Sequence, residues 1–172
     1  MIEIPRPAPD AYAPYFARHI DLVPDGDVLD MLTRNVEDTC ALVAGFGEEG
    51  ARHRYKPGKW SVKEVVGHVA DTERLFVYRA LSFARNDGTP LPGMDEDGWA
   101  SYSNADAVPL PDLLDELLAV RRATVAFFAN LDDKALARRG VASDNTFVVA
   151  CVPWLVAGHE IHHAGVIRER YR

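Results

Sequence analysis

The sequence has no long hydrophobic run, and this absence argues against a membrane-spanning helix. Its most apolar stretch, FVVACVPWLVAG at 147–158, is too short to cross a bilayer, which needs about 20 apolar residues. The first residues also lack a basic segment followed by an apolar one, so no secretory signal is expected. These features predict a cytoplasmic protein without a membrane partner.

Positive charge and cysteine are both scarce. The 19 Lys and Arg residues are outnumbered by 26 Asp and Glu residues, and the formal net charge is −7. Because binding to a phosphate backbone needs a basic face, nucleic acid is not an expected partner. The two cysteines, Cys40 and Cys151, lie in apolar helical surroundings, so we expect reduced core thiols rather than a disulfide framework.

No segment shows persuasive strand-like alternation of apolar and polar residues, whereas helical periodicity recurs in four segments. The first helix follows Gly26 and ends at Gly45 and Gly47. The second runs from Ser61 to about Asn86, the third begins near Pro111, and the fourth covers about 146–171, bent or begun at Pro153. These helices predict a single domain, 1–172, with an all-α four-helix bundle fold.

The segments between the helices also carry signals. Residues 1–26 contain Pro5, Pro7, Pro9, Pro14 and Pro24, so an irregular N-terminal arm is expected, with one short turn at about 13–19. The connector at 87–110 is unusually long, and such loops often form binding walls; its Trp99 and Tyr102 could line the mouth of a site. A short helical turn is expected in DDKALARRG, before the fourth helix.

The stretch GHEIHHAG at 158–165 carries the main chemical signal. His159 and His163 are four residues apart and project from one helical face, which the apolar pattern turns toward the bundle interior. The pair could be two metal ligands or two hydrogen-bonded core histidines. A third interpretation is the zinc-protease motif HExxH, in which Glu160 would be the general base.

His68, in VVGHVAD of the second helix, is the best candidate for a third ligand. Two histidines from one helix and one from a facing helix would give three nitrogen ligands with open positions, as catalytic metals require. A glycine precedes both His68 and His159, which would let backbones approach closely. His162 is a rival to His163 but should point away, while His19 and His53 are expected to face solvent.

Acidic residues near the histidines could orient the metal-bound imidazoles, which usually donate their second N–H to a carboxylate or carbonyl. Glu73, Glu160 and His162 are the candidates for this role. The alternative is that Glu73, with Asp71, Arg74 and Arg79, forms ion pairs along the helix surface.

Three segments together resemble the DinB/YfiT-like metalloenzymes. These are the opening IPRPAPDAYAPYFARHIDLVPDGDVLDML, the block YKPGKWSVKEVVGHVADTERLFVYRALSFARNDGTPLPGMDED, and AGHEIHHAGVIRERY. The resemblance implies a bundle, commonly dimeric, in which three histidines hold a divalent ion. The matching positions are His68, His159 and His163. Nickel or zinc is the expected ion, with iron or manganese as alternatives.

Metal-activated thiol transfer is the leading functional hypothesis, because better-understood relatives of this family use bacillithiol, mycothiol or glutathione. The resemblance therefore implies a small electrophile and a low-molecular-weight thiol as substrates. A free thiol has a pKa of about 8.5, and coordination to a divalent ion deprotonates it. The alternatives are a metal-dependent hydrolase that activates water, and a non-catalytic metal-binding stress protein. A homodimer is expected.

Overall fold

In the computed structural model, which describes residues 3–171, four long helices form a bundle and turn their apolar faces toward one another. The α-helices and strands, in chain order, are α1 Ala17–Ile20, α2 Val28–Ala44, α3 Gly47–Gly50, α4 Val62–Ala84, α5 Glu96–Tyr102, α6 Leu110–Ala129, α7 Asp133–Leu136, β1 Arg139–Ala142, β2 Asn145–Val148 and α8 Val152–Arg170. The four-helix bundle predicted from the periodicity is therefore present, as α2, α4, α6 and α8.

The helix ends follow from local side-chain chemistry. Asp27 caps α2 by accepting hydrogen bonds from two backbone N–H groups of its first turn. Ser61 and Glu64 form the predicted capping box at the start of α4. The helix ends before Asn86, which adopts a left-handed conformation with φ 65°. These caps fix where the face that carries His68 begins.

The long helices pack around the bundle in the order α2, α6, α4, α8. The first two long helices, α2 and α4, are thus placed diagonally across the bundle. α4 lies directly against α8. The first half of α8 is buried on all sides, from Val152 to Glu160, as expected for a helix that is apolar around its circumference. This arrangement brings the histidines of α4 and α8 face to face.

The prediction that the chain has no strand is wrong. Strands β1 and β2 form an antiparallel hairpin, and Phe147 packs from it against Phe83 and Phe16 in the core. Its two-residue turn is made by Ser143 and Asp144, which both have positive φ, the backbone that tight hairpins need. The strands have only four residues each, too few for a persuasive alternation. Consequently the fourth helix begins at Val152 and not near residue 146.

The N-terminal arm is more ordered than its prolines predict. It contains 3₁₀ turns at Pro9–Ala11 and Pro14–Phe16 and continues into α1. Tyr12, Phe16 and Ile20 are buried against the bundle, so the arm covers part of the core of its own chain. The predicted 87–110 connector likewise holds α5 and a 3₁₀ turn at Ala105–Ala107. No helix within residues 3–171 is both long and apolar enough for a membrane span.

Candidate metal centre

Three imidazole rings converge where α4 faces α8. The Nε2 atom of His159 lies 3.1 Å from Nε2 of His68 and 3.1 Å from Nε2 of His163. One ligand atom from each of the three residues falls within 4.8 Å of the other two. The structure thus brings together the i, i+4 pair of α8 and the distant histidine of α4.

Burial keeps these imidazoles neutral. It lowers the pKa of His68 to about 4 and, together with the neighbouring His68, the pKa of His163 to about 3. Burial likewise lowers the pKa of His159 well below its usual range. Neutral imidazoles present a nitrogen lone pair, so at neutral pH the cluster is a set of donors that suits a divalent ion. Without such an ion, hydrogen bonds between three rings cannot satisfy all the converging lone pairs.

Neighbouring side chains hold the rings in place. The ring of Trp60 packs on His68 with 4.7 Å between ring centres, and Phe76 lies edge-on to His159 at 6.4 Å. The hydroxyl of Thr72 lies 3.5 Å from Nδ1 of His68. A proton on that Nδ1 would leave the Nε2 lone pair directed at the cluster.

Glu73 and Glu160 lie behind the cluster rather than on its rings. Both side chains are almost fully buried, and both bond to Arg121 of α6, itself 1% exposed. Glu73 receives two N–H bonds from Arg121 at 2.9 Å, and Glu160 receives one at 2.7 Å. Among residues 3–171, no hydrogen bond joins either carboxylate to an imidazole of the cluster. The predicted direct orienting contact is therefore absent.

The same contacts answer two further questions raised by the sequence. Glu160 is turned toward Arg121 and away from the open side of the cluster, so the zinc-protease interpretation loses its general base. Glu73 takes no part in a surface ion pair, whereas Arg74 does pair with Asp71 at 3.2 Å. The sequence does not predict that Arg121 is buried, because an arginine on an amphipathic helix usually faces solvent.

The remaining histidines divide differently from the prediction. His53 is exposed, as expected. His19 is 9% exposed, and its ring centre lies 5.6 Å from that of His159, so the prediction that it faces solvent is wrong. The backbone of His19 lies directly on α8, because Gly158 has no side chain to separate α1 from α8. His162 is exposed and stands outside the cluster, with its ring 5.0 Å from that of His163.

A cavity of about 440 Å³ opens onto the cluster. Four histidines line one end of it, namely His159, His163, His19 and His162. Its apolar walls are formed by Phe16, Leu75 and Phe76. The long connector contributes Gly93, Met94 and Glu96, so it does wall the site. Trp99 and Tyr102 do not line it and are 47% and 90% exposed. The cavity is large enough for a small molecule beside the histidines.

Comparison with known proteins gives one family match. The model of the DinB superfamily matches residues 31–167, a segment that contains all three clustered histidines. A protein from Oceanobacillus iheyensis, named as a candidate metal-dependent hydrolase, is 27% identical over 128 residues, or 73% of each chain. A protein of the same description from Geobacillus kaustophilus is 28% identical over 134 residues, covering 76% of this chain and 74% of its own.

The fold also has a solved counterpart. YfiT from Bacillus subtilis, described as a candidate metal-dependent hydrolase with an unusual four-helix bundle topology, superimposes with a TM-score of 0.70. The match covers 86% of this chain and 87% of YfiT at 19% identity. At that identity the likeness shows the shared bundle fold.

Proposed function

The chain belongs to the DinB superfamily, and from this membership and the geometry of the site we propose that it is a metal-dependent hydrolase of small molecules. The observation that carries the proposal is the convergence of three neutral imidazole nitrogens at the end of a cavity. We assign His68, His159 and His163 as the ligands of one divalent ion. The names of the relatives support hydrolysis, and none of them supports the thiol transfer expected from the resemblance.

Three imidazole nitrogens favour a metal ion that binds well to nitrogen ligands. We therefore expect zinc or nickel before iron or manganese. When bound at such a site, a divalent ion lowers the pKa of water and polarises a carbonyl or phosphoryl group. The protein supplies the rest of the chemistry. Trp60 and Thr72 fix the ring of His68, and Phe16, Leu75 and Phe76 offer apolar walls against which a substrate could pack. His162, which lines the cavity but stands outside the cluster, can form a hydrogen bond with a bound substrate.

Metal content of single variants tests the ligand assignment. His68→Ala, His159→Ala and His163→Ala should each lose most of the bound metal, because each leaves only two ligands. His162→Ala and His53→Ala are matched controls and should retain about one ion per chain, the content that we expect of the wild type. Elemental analysis of the untagged proteins, after growth with added zinc and nickel, provides the measurement. Normal metal content in His68→Ala would refute the three-histidine site.

Activity assays separate hydrolysis from thiol transfer. The protein as purified should cleave activated esters or amides in water alone, lose this activity with a chelator, and regain it with added zinc or nickel. His162→Ala should lower turnover while metal content stays normal. Turnover of an electrophile only when glutathione or bacillithiol is added would instead restore the transferase hypothesis. Metal binding without either activity would favour the non-catalytic alternative.

A further inference from the structure

Arg79 lines the same cavity as the histidines and has no ion-pair partner among residues 3–171. It is 4% exposed and lines the cavity from α4. Its Nη2 donates to the carbonyl of Pro92 at 2.8 Å and to Oγ of Ser143 at 2.9 Å. Its Nε is buried without a hydrogen-bond partner among residues 3–171. No salt bridge to Arg79 exists in the same part of the chain.

A buried charge without an ion-pair partner is costly, and the two hydrogen bonds of Arg79 go to neutral oxygen atoms, which offset that cost only in part. Burial lowers the pKa of Arg79, and no carboxylate acts against that effect. The other buried guanidinium, that of Arg121, is by contrast held by two carboxylates. Glu96 also lines the cavity, but it is exposed and forms no ion pair with Arg79. The charge of Arg79 is therefore available to a ligand.

The surroundings of Arg79 suit an anion. The hydroxyl of Ser143 accepts from Arg79, so its own proton is free to be donated into the cavity. The cavity is also lined by Arg18, whose guanidinium stacks over Tyr15 at 4.1 Å. Two arginines and one glutamate thus line the cavity, and this balance favours a negatively charged ligand.

Arg79 and the histidines lie close enough for one small molecule to contact both. His68, Thr72, Phe76 and Arg79 follow one another along one face of α4 at helical spacing. The guanidinium carbon of Arg79 lies 5.9 Å from the centre of the Phe76 ring, and that ring centre lies 6.4 Å from that of His159. A single small molecule that packs on Phe76 can therefore reach both ends.

We propose that Arg79 and Ser143 form the anion-binding end of the substrate site, so that the substrate is a small molecule with a carboxylate at one end and its hydrolysable bond at the other. This inference rests on the proposed function for the reacting end, but the anion site itself does not require the metal. Carboxylate is the favoured anion because the guanidinium of Arg79 and the hydroxyl of Ser143 can each donate a hydrogen bond to one of its two oxygens.

A pair of isosteric probes tests the proposal by binding. 3-Phenylpropionate and 3-phenylpropionamide have the same shape and differ in charge, and their phenyl ring suits the Phe76 wall. Calorimetric titration of the protein as purified should show a preference of about tenfold or more for the carboxylate, as a charge-assisted contact requires. Arg79→Gln should bring the two affinities to within about twofold, and Arg79→Lys should keep part of the preference.

Arg74→Gln is the matched control, since Arg74 is an exposed arginine of the same helix and pairs with Asp71 and Glu116. It should leave the preference unchanged. A purely structural Arg79, which only joins the connector to the hairpin, would lower the unfolding temperature of Arg79→Gln without changing the preference. That result overturns the proposal, and so does equal or undetectable binding of the two probes by the wild type. If Arg79→Gln does not fold, Ser143→Ala, which should reduce the preference, decides in its place.

The same titrations on chelator-treated protein separate the two proposals. A carboxylate bound directly by the metal would lose its preference on metal removal, which contradicts the role of Arg79. A protein that holds no metal and hydrolyses nothing, yet prefers the carboxylate through Arg79, would refute the hydrolase while leaving the anion site intact.

Discussion

A glycine precedes a histidine twice in this protein, and the two glycines have different surroundings. A Cβ placed on Gly158 would lie 2.0 Å from the carbonyl oxygen of His19, whereas one on Gly67 would meet its nearest neighbour, Cβ of Ala105, at 3.6 Å. The second distance is ordinary contact. Only Gly158 is therefore needed for close approach, and it is the residue that admits α1 and His19 to the site.

Gly158→Ala should destabilise the protein by about 1–3 kcal/mol, because the methyl group collides with backbone that cannot rotate away. Thermal unfolding, monitored by circular dichroism, measures the change. The variant should also move His19 away from the cavity.

Gly165→Ala, on the same helix, is the control. A Cβ there would meet nothing within 4 Å. Because glycine costs a helix about 0.5–1 kcal/mol relative to alanine, this variant should be as stable as the wild type or more so. Equal stability of the two alanine variants would contradict the close packing of α1 on Gly158.

At the scale of the helices, Arg121 joins all four members of the bundle. From α6 it bonds to Glu73 of α4, to Glu160 of α8, and to the carbonyl of Leu32 in α2 at 2.6 Å. Glu160 directly follows His159, so this network also fixes the register of α8 against α4. The role of the two glutamates is thus to position the helices that carry the histidines.

Arg121→Met should cost about 3–5 kcal/mol of stability, because it leaves two buried carboxylates without a partner. Urea unfolding of the purified variant is the measurement, and metal affinity should fall with it. Replacing Arg121, Glu73 and Glu160 together by apolar residues should recover much of the loss, since no unpaired charge then remains.

The exposed Arg74 provides the comparison for Arg121. Its side chain is 45% exposed and pairs with Glu116 of α6 at 2.6 Å. Arg74→Ala should change stability by no more than about 1 kcal/mol, as is usual for a surface ion pair. A loss as large as that of Arg121→Met would show that burial does not set the strength of these contacts.

At the scale of the whole molecule, the packing of the N-terminal arm affects which surface is left for a second subunit. An extended arm would leave apolar surface of the bundle for a partner to cover, but here the arm packs on its own chain. Large side chains still stand exposed elsewhere, among them Tyr78 at 55% and Tyr102 at 90%. The dimer remains a prediction from the family resemblance. Light scattering should give twice the chain mass of 19.0 kDa, and a 19.0 kDa particle over a wide concentration range would contradict it.

The sequence by itself determined the long helices and the histidine pair, because both depend on neighbours in the chain. Apolar spacing specified the buried faces, Ser61 and Glu64 specified the start of α4, and the i, i+4 spacing placed His159 and His163 side by side. His68, 91 positions from His159, could be proposed as their partner only because it lies near the apolar face of a second helix.

Tertiary structure decided what those local patterns could not record. The four-residue strands of the hairpin are too short to show an alternation of apolar and polar residues. Their position depends on Phe147, which packs in the core against distant residues. The burial of His19, Arg79 and Arg121 depends on which distant groups surround them. His19 lies against the backbone of α8, Arg79 bonds to two neutral oxygen atoms, and Arg121 bonds to two carboxylates. The free energy of a buried polar side chain is set by those partners, and so two buried arginines of one chain differ: Arg121 joins helices through two carboxylates, whereas Arg79 pairs with none among residues 3–171.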